Sequence, residues 1–190
     1  NEIEGDRIRL GGRTSNKFST MSLIEAPLAY GTRDRKFKGG ADFWYRLKKN
    51  PNSGLGMAYR YDIEQLGESQ NALRTDYIVG SLIRRNPQNK LSMVEEIKGF
   101  YEHEWFFGFS NKLMITRREI FPMGSTLFTY NDNGRVFTRP SITTSEISFS
   151  LHFAFHEKII MGEFERMSLG THYPVLDVGY AYGAKDLWGG

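Results

Sequence analysis

Apolar and polar residues alternate with a period of two along most of the chain, the pattern of extended strands with one apolar and one polar side. The longest uninterrupted run is ISFSLHFAFHEK, Ile147–Lys158. It sets Ile147, Phe149, Leu151, Phe153 and Phe155 against Ser148, Ser150, His152, Ala154 and His156. GLGMAYRYDIE, Gly54–Glu64, repeats the pattern: Leu55, Met57, Tyr59, Tyr61 and Ile63 oppose Gly56, Ala58, Arg60, Asp62 and Glu64. The same template predicts strands in Arg7–Arg13, Ala41–Leu47, Leu91–Trp105 and Tyr173–Gly183. It predicts another in Ile24–Gly31, with an irregularity where Pro27 removes a ladder donor. Lys112–Ile120 reads as strand, with its facing left open. About eight strands result. Residues 72–84 are the single helical candidate, weakened by Gly80.

The links alternate in length. Those near 14–19, 48–53 and 106–111 are short, and KKNPNSG has the composition of a hairpin turn. Those at 66–90 and 121–143 are long, and the short link at 32–37 falls on their side. Strands running up and down then place short turns at one rim and longer loops at the other, the arrangement of a transmembrane barrel.

Alternation alone fits two architectures. A soluble barrel or sandwich buries the apolar side, whereas a transmembrane barrel turns it to lipid. Four features favour lipid. Tyrosine and tryptophan stand toward the ends of apolar faces, as at Tyr59, Tyr61, Tyr101, Trp105, Tyr180 and Tyr182, and amphipathic rings favour membrane interfaces. The opposite faces mix Gly and Ala with charges of both signs, which suits a crowded lumen. Several strands run to about eleven residues, against a mode of about five or six in globular proteins. No charge interrupts the apolar face of the cleanest strands. Expected lipid-facing residues are therefore Leu55, Met57, Tyr59, Phe149, Leu151, Phe153 and Phe155. Expected lumen-facing residues are Arg46, Arg60, Asp62, Glu64, Glu102, Glu104, His152 and His156.

Composition narrows the chemistry. The 190 residues predict one domain, Asn1 to Gly190, all of it barrel or a fragment of one, truncated at both ends. The start at Asn1 suggests a processed product or a piece of a longer protein. There is no cysteine, which excludes disulfides and thiolate sites. No apolar run reaches the length of a transmembrane helix, which says nothing against barrel strands. The net charge of +3 is small, and no ribonucleoprotein-like stretch accompanies it, so no nucleic-acid partner is expected. His152 and His156 share a strand face, where a spacing of four puts them about 13 Å apart, too far to share a metal. Glu102 and Glu104 also share a face and read as structural partners for basic groups, not as a catalytic pair. The glycine stretches GGRTS and FKGGAD lack phosphate-loop spacing. No enzyme activity, cofactor or metal is expected. Two basic stretches, TRDRKFK and IRRNPQNK, fall at the long-loop rim, where Arg33, Arg35, Lys36, Arg84 and Arg85 are candidates to meet lipid phosphates.

Several longer stretches carry a family resemblance. RIRLGGRTSNKF, AYGTRDRKFKGG, RRNPQNKLSMVEE, YEHEWFFGFSN and REIFP together resemble a family of large Bacteroidetes-type outer-membrane proteins. Its members look like a carboxypeptidase-regulatory-like sandwich followed by a long domain of unknown function that ends in a β-barrel. The resemblance spans most of residues 5–122 and implies a fold and a place, not an activity. The sandwich is absent from this chain, so it resembles part of the barrel. The expectation is an all-β, antiparallel, up-and-down transmembrane β-barrel, or an arc of a larger one. It would sit in an outer membrane and serve transport, export or envelope assembly. Its partners would be outer-membrane lipid, lipopolysaccharide and other envelope proteins. Two alternatives stand beside it: a soluble β-barrel binding an apolar small molecule, and a β-scaffold interaction module using loops 66–90 and 121–143.

Overall fold

The structure, a computed structural model, describes residues 5–65, 91–124, 127–132, 135–162, 164, 166–185 and 187–189. The helical candidate at 72–84, the loop 66–90, and Arg84 and Arg85 lie outside the described residues. Eight strands form one sheet: β1 (Arg7–Arg13), β2 (Ser22–Gly31), β3 (Phe37–Lys48), β4 (Ser53–Gln65), β5 (Leu91–Phe106), β6 (Phe109–Pro122), β9 (Ile142–Ala154) and β12 (Val175–Gly183). Two small hairpins interrupt it. One pairs β7 (Phe128–Asp132) with β8 (Arg135–Arg139), and the other pairs β10 (Lys158–Met161) with β11 (Arg166–Gly170). A short 3-10 turn, Leu187–Gly189, follows β12.

The order of the large sheet is β1-β2-β3-β4-β5-β6-β9-β12, each strand antiparallel to the next. This is the up-and-down topology expected from the alternation. Among the described residues β1 and β12 are the edges of the sheet, with no pairing between them. The β2–β3 pairing skips Ala26 and Pro27, between Glu25↔Asp42 and Leu28↔Gly39, so the irregularity expected at Pro27 falls on the β3 side of the strand.

One rim, the turn rim, carries the links 14–21, 49–52, 107–108 and 155–174. The other, the loop rim, carries 32–36, 66–90 and 123–141. The division of short and long links holds except at 155–174, where the β10–β11 hairpin makes a long excursion on the turn rim. The predicted strand Ile147–Lys158 is also displaced. It begins five residues earlier and stops at Ala154, because His156 takes a positive φ of 51° and turns the chain into that hairpin.

Burial is inverted relative to a soluble sheet. Among the described residues, the buried side chains include Lys38, Arg46, Glu96, Glu104, Ser92 and Thr116, while the buried apolar ones are Ala29, Met93, Val94 and Ala154. Large apolar side chains such as Leu10, Leu28, Met57, Ile97, Leu113, Phe149 and Tyr180 are exposed. A charged group is buried only where it finds a partner, so the polar face must be the enclosed one.

That face is concave. Arg7 on β1 reaches Asp62 on β4 at 2.7 Å. Strands three apart in a flat sheet are separated by about 14 Å, so curvature toward the polar side brings these groups together.

Candidate functional site: a polar interior and an apolar outer face

The polar face of β4, β5 and β6 holds a connected set of charges. Glu96 is nearly inaccessible and receives Lys98 at 2.9 Å, Arg118 at 3.2 Å and Arg60 at 3.6 Å. Glu64 takes Arg60 at 3.2 Å and also bonds Arg118. Asp62 extends the set to Arg7. Period two explains the convergence: Arg60 opposes Glu96, which opposes Arg118, so one register row carries all three. Beside these charges lies a cavity of about 520 Å³ near the loop rim, lined in part by Arg7, Arg9, Asp42, Arg60 and Lys98.

Toward the turn rim the same face becomes more acidic. The backbone NH of Asn52 donates to Glu104 at 2.8 Å, and its side-chain amide to Glu102 at 3.4 Å, tying the β3–β4 turn to β5. Lys112 lies 3.9 Å from Glu102 and sits over the Phe100 ring at 4.2 Å. His152 stands between Asp177 at 2.7 Å and Glu157 at 3.6 Å. Glu102, Glu104, Lys112, Ser150, His152, Glu157 and Asp177 line a second cavity of about 610 Å³. Ile159 and Ser168 of the β10–β11 hairpin form part of its wall.

The structure therefore puts Arg46, Arg60, Asp62, Glu64, Glu102, Glu104 and His152 on the polar face. His156 departs from the expectation. It lies in the turn after β9, exposed, with its ring edge-on to Phe155 at 4.2 Å. Leu55, Met57, Tyr59, Phe149, Leu151 and Phe153 share the apolar face, as the pairings of β3–β4, β6–β9 and β9–β12 require. Phe155 lies beyond the end of β9 and packs on Tyr173 at 5.1 Å, so no strand face directs it.

The facing left open for Lys112–Ile120 is resolved by register: Leu113 and Ile115 lie on the apolar face, Lys112, Thr116 and Arg118 on the polar one. Arg117 and Glu119 also fall on the apolar face, paired at 3.2 Å, and Glu95 opposes Glu119. These charges do not break the apolar band, because the band runs diagonally. On β1 and β2 it occupies Ile8, Leu10, Leu28 and Tyr30, near the loop rim. On β9 and β12 it occupies Ile147–Phe153 and Leu176–Tyr182, nearer the turn rim. A level band drifting across the hydrogen-bonding rows is what tilted strands produce. Aromatic rings border it on both sides: Tyr45, Tyr101 and Trp105 toward the turn rim, Tyr30, Tyr61 and Tyr182 toward the loop rim. The exposed Phe106 and Phe107 continue the border into the β5–β6 turn.

Arg33, Arg35 and Lys36 are exposed in the loop-rim link 32–36. Asp34 in the same link folds inward onto the buried Lys38 at 2.6 Å. Burial works to raise its pKa, but the Lys38 hydrogen bond, the Lys36 backbone NH and both lysine charges outweigh it, and the carboxyl titrates below its usual value.

Sequence reasoning missed the part played by Lys38, Glu96, Lys98 and Arg118. Their signal was the register of β5 against β6. It also missed Phe164, whose ring reaches β3 from the β10–β11 hairpin. The short apolar run Ile159–Met161 before Gly162 could have revealed the first arm of that hairpin. Among the described residues no cluster of His, Asp and Glu could hold a metal ion. No family model, curated protein or solved structure matches the chain.

Proposed function

We propose that this chain forms part of the wall of a transmembrane β-barrel in an outer membrane, serving transport, export or envelope assembly, and that it is not an enzyme. One observation carries the reading: an exposed apolar face, continuous across eight antiparallel strands, lies back to back with a concave face whose charges are buried and paired. In water such a sheet exposes far more contiguous apolar surface than monomeric soluble proteins tolerate. In lipid that surface is solvated and the polar face becomes the lumen side. Strand length supports this. The thirteen residues of β4 and sixteen of β5 exceed the 9–11 residues or so that a tilted strand needs to cross the apolar layer.

Membrane residence also requires that the edges be paired, since an unpaired backbone group in hydrocarbon costs several kcal/mol. β12 (VLDVGYAYG) carries no lysine, no proline and no register shift, the devices that protect solvent-exposed edges. It suits pairing with a further strand of the same wall. Arg33, Arg35 and Lys36, at the polar end of the band, suit the phosphates of lipid or lipopolysaccharide. The lumen side mixes both signs of charge, which favours a filled or gated interior over an ion-selective open pore.

The test is fractionation and folding. The protein should remain with outer membranes after a carbonate wash and show heat-modifiable migration on gels. A monodisperse, folded protein obtained without detergent would overturn the reading. The β7–β8 hairpin lends some support to a scaffold reading as well. All five residues of β8 are exposed, with Tyr130 and Phe137 stacked at 5.3 Å. Deleting residues 128–139 should abolish partner binding under that reading and leave membrane insertion intact.

A further inference from the structure

The β2–β3 ladder is interrupted in its middle. The two strands pair from Ser22↔Tyr45 to Glu25↔Asp42, and again from Leu28↔Gly39 to Tyr30↔Phe37, with no change of register. The pairs Ala26–Ala41 and Pro27–Gly40 are missing. Among the described residues, the other ladders of the large sheet are continuous or shift only beside a turn. Pro27 is the cause. In the same register, the Arg46 N–H donates to the Met21 carbonyl at 2.7 Å, and the Gly31 N–H to the Lys36 carbonyl at 3.2 Å. Bonded pairs alternate along an antiparallel ladder, so they fall at the odd positions of β2. Pro27–Gly40 would be one of them, and Pro27 has no N–H to give.

The gap is also bare of large side chains. Gly11, Pro27 and Gly40 share a row of the polar face, and Gly12, Ala26 and Ala41 share a row of the apolar face. From Glu25–Asp42 to Leu28–Gly39 the strands run three residues, about 10 Å, without a pair. The wall there is one backbone thick, inside the apolar band that Ile24 and Leu28 carry along β2.

Behind the gap lies the loop-rim cavity, with Gly11, Pro27, Gly40 and Ala58 in its lining. Leu10, Leu28 and Tyr59 of the apolar face border it as well. Arg7, Arg9, Arg60 and Lys98 surround it with Asp42, Asp62 and Glu96, four cations to three carboxylates. Asp62 is engaged by Arg7, and Glu96 by Lys98, Arg118 and Arg60. Arg9 is exposed, and among the described residues no carboxylate pairs with it. Asp42 stands at the other end of the gap, opposite Glu25, so the cationic end is the one toward the loop rim.

We propose that the β2–β3 gap is a lateral site for an anionic amphiphile. Its phosphate-bearing head sits in the loop-rim cavity on Arg9, and its alkyl chain passes through the gap to lie along Leu10 and Leu28. The proposal rests on the barrel-wall reading, which puts lipid on the Leu28 side and the lumen on the Arg9 side. It gives that wall a substrate class.

The experiment titrates the full chain, in dodecylmaltoside micelles, with dodecyl phosphate and with inorganic phosphate by isothermal calorimetry. Dodecyl phosphate should saturate, and inorganic phosphate should bind at least about tenfold more weakly for want of the chain. Arg9→Gln should weaken dodecyl phosphate about tenfold, the change expected for one charge-assisted hydrogen bond. Pro27→Ala restores the missing N–H and lets the ladder close. It should weaken dodecyl phosphate about tenfold and leave inorganic phosphate unchanged. Unchanged dodecyl phosphate affinity in either variant would overturn the site. Inorganic phosphate binding as tightly as dodecyl phosphate would do so too, by making this a site for the free anion. Heat-modifiable migration of the same samples reports the wall separately. Its loss would sink the wall and the site together, whereas its presence without dodecyl phosphate binding would sink the site alone.

Discussion

Leu151 and Ser150 stand next to each other at one depth and face opposite ways. The apolar run on β9 extends from Ile147 to Phe153 and centres on Ser150. In the proposed barrel wall, at a tilt of about 40°, one residue would advance about 2.5 Å along the membrane normal, which would put Leu151 close to the midplane. Leu151→Arg places a charge in hydrocarbon, at a cost of about 2–4 kcal/mol. Its cross-strand neighbours, Asn111 and Val178, carry no charge to pair with it. Ser150→Arg points into the cavity that Glu102, Glu157 and Asp177 line, where carboxylates and water receive it. It should cost under about 1 kcal/mol, allowing for the like charge of Lys112 opposite. Phe153→Arg, about 5 Å nearer the turn rim than Leu151, should fall between them because the penalty declines toward the interface. Reversible urea unfolding from phospholipid vesicles, followed by tryptophan fluorescence, would measure all three. A difference of about 3 kcal/mol between Leu151→Arg and Ser150→Arg corresponds to roughly a hundredfold in the unfolding constant. Equal costs for the two would refute the assignment of faces. A cost for Phe153→Arg above that for Leu151→Arg would refute the placement of the band.

Other positions test other parts of the structure. Glu96→Gln removes the carboxylate shared by Lys98, Arg118 and Arg60 and leaves Arg60 and Arg118 with Glu64 as their carboxylate partner. It should cost about 1–2 kcal/mol, seen as a lower denaturant midpoint, and no measurable loss would show the network to be solvated. Asp34 has a depressed pKa in the folded state, so its contribution to stability is complete above the ordinary carboxylate pKa and is lost as pH falls below about 4. Asp34→Asn should flatten that acid limb in thermal melts between about pH 5 and pH 2, and an unchanged limb would count against the Lys38 pairing. Gly108 has a φ of +82°, and an added Cβ would stand 2.0 Å from the Ala154 carbonyl oxygen. Gly108→Ala should therefore destabilise by about 2 kcal/mol or more by urea titration, and a neutral effect would mean that the β5–β6 turn relaxes freely.

The eight strands of the large sheet and their order were legible because period two survives wherever the two faces of a strand differ. Leu55 to Glu64 shows this well: every second residue is apolar, and the register keeps that parity through β3 and β5. The end of β9 was not legible. Phe155 and His156 continue the alternation, but the positive φ of His156 is set by the turn into the hairpin, which the alternation does not encode. The facing of β6 was hidden because Arg117 and Glu119 carry charge on the apolar side. Those two charges pair with each other, a contact that the alternation does not encode. The charge network escaped for a similar reason. Glu96 meets Arg118 and Arg60 through the register of three strands, and no local spacing reveals it.

The polar face then bears on which kind of barrel this wall could serve. An open pore needs a lumen lined by water, where charges are solvated and side chains need few fixed partners. Here Glu96 and Glu104 are nearly inaccessible, and both are engaged. Three basic groups converge on Glu96 from β4, β5 and β6. Such a lattice stiffens three adjacent strands and fills the space before them, so passage through the loop-rim half would require breaking several ion pairs together. The turn-rim half differs. It holds the cavity of about 610 Å³, lined by the carboxylates of Glu102, Glu104, Glu157 and Asp177. In the proposed barrel the ion-paired half would suit a wall, and the half with the carboxylate-lined cavity would suit an entrance.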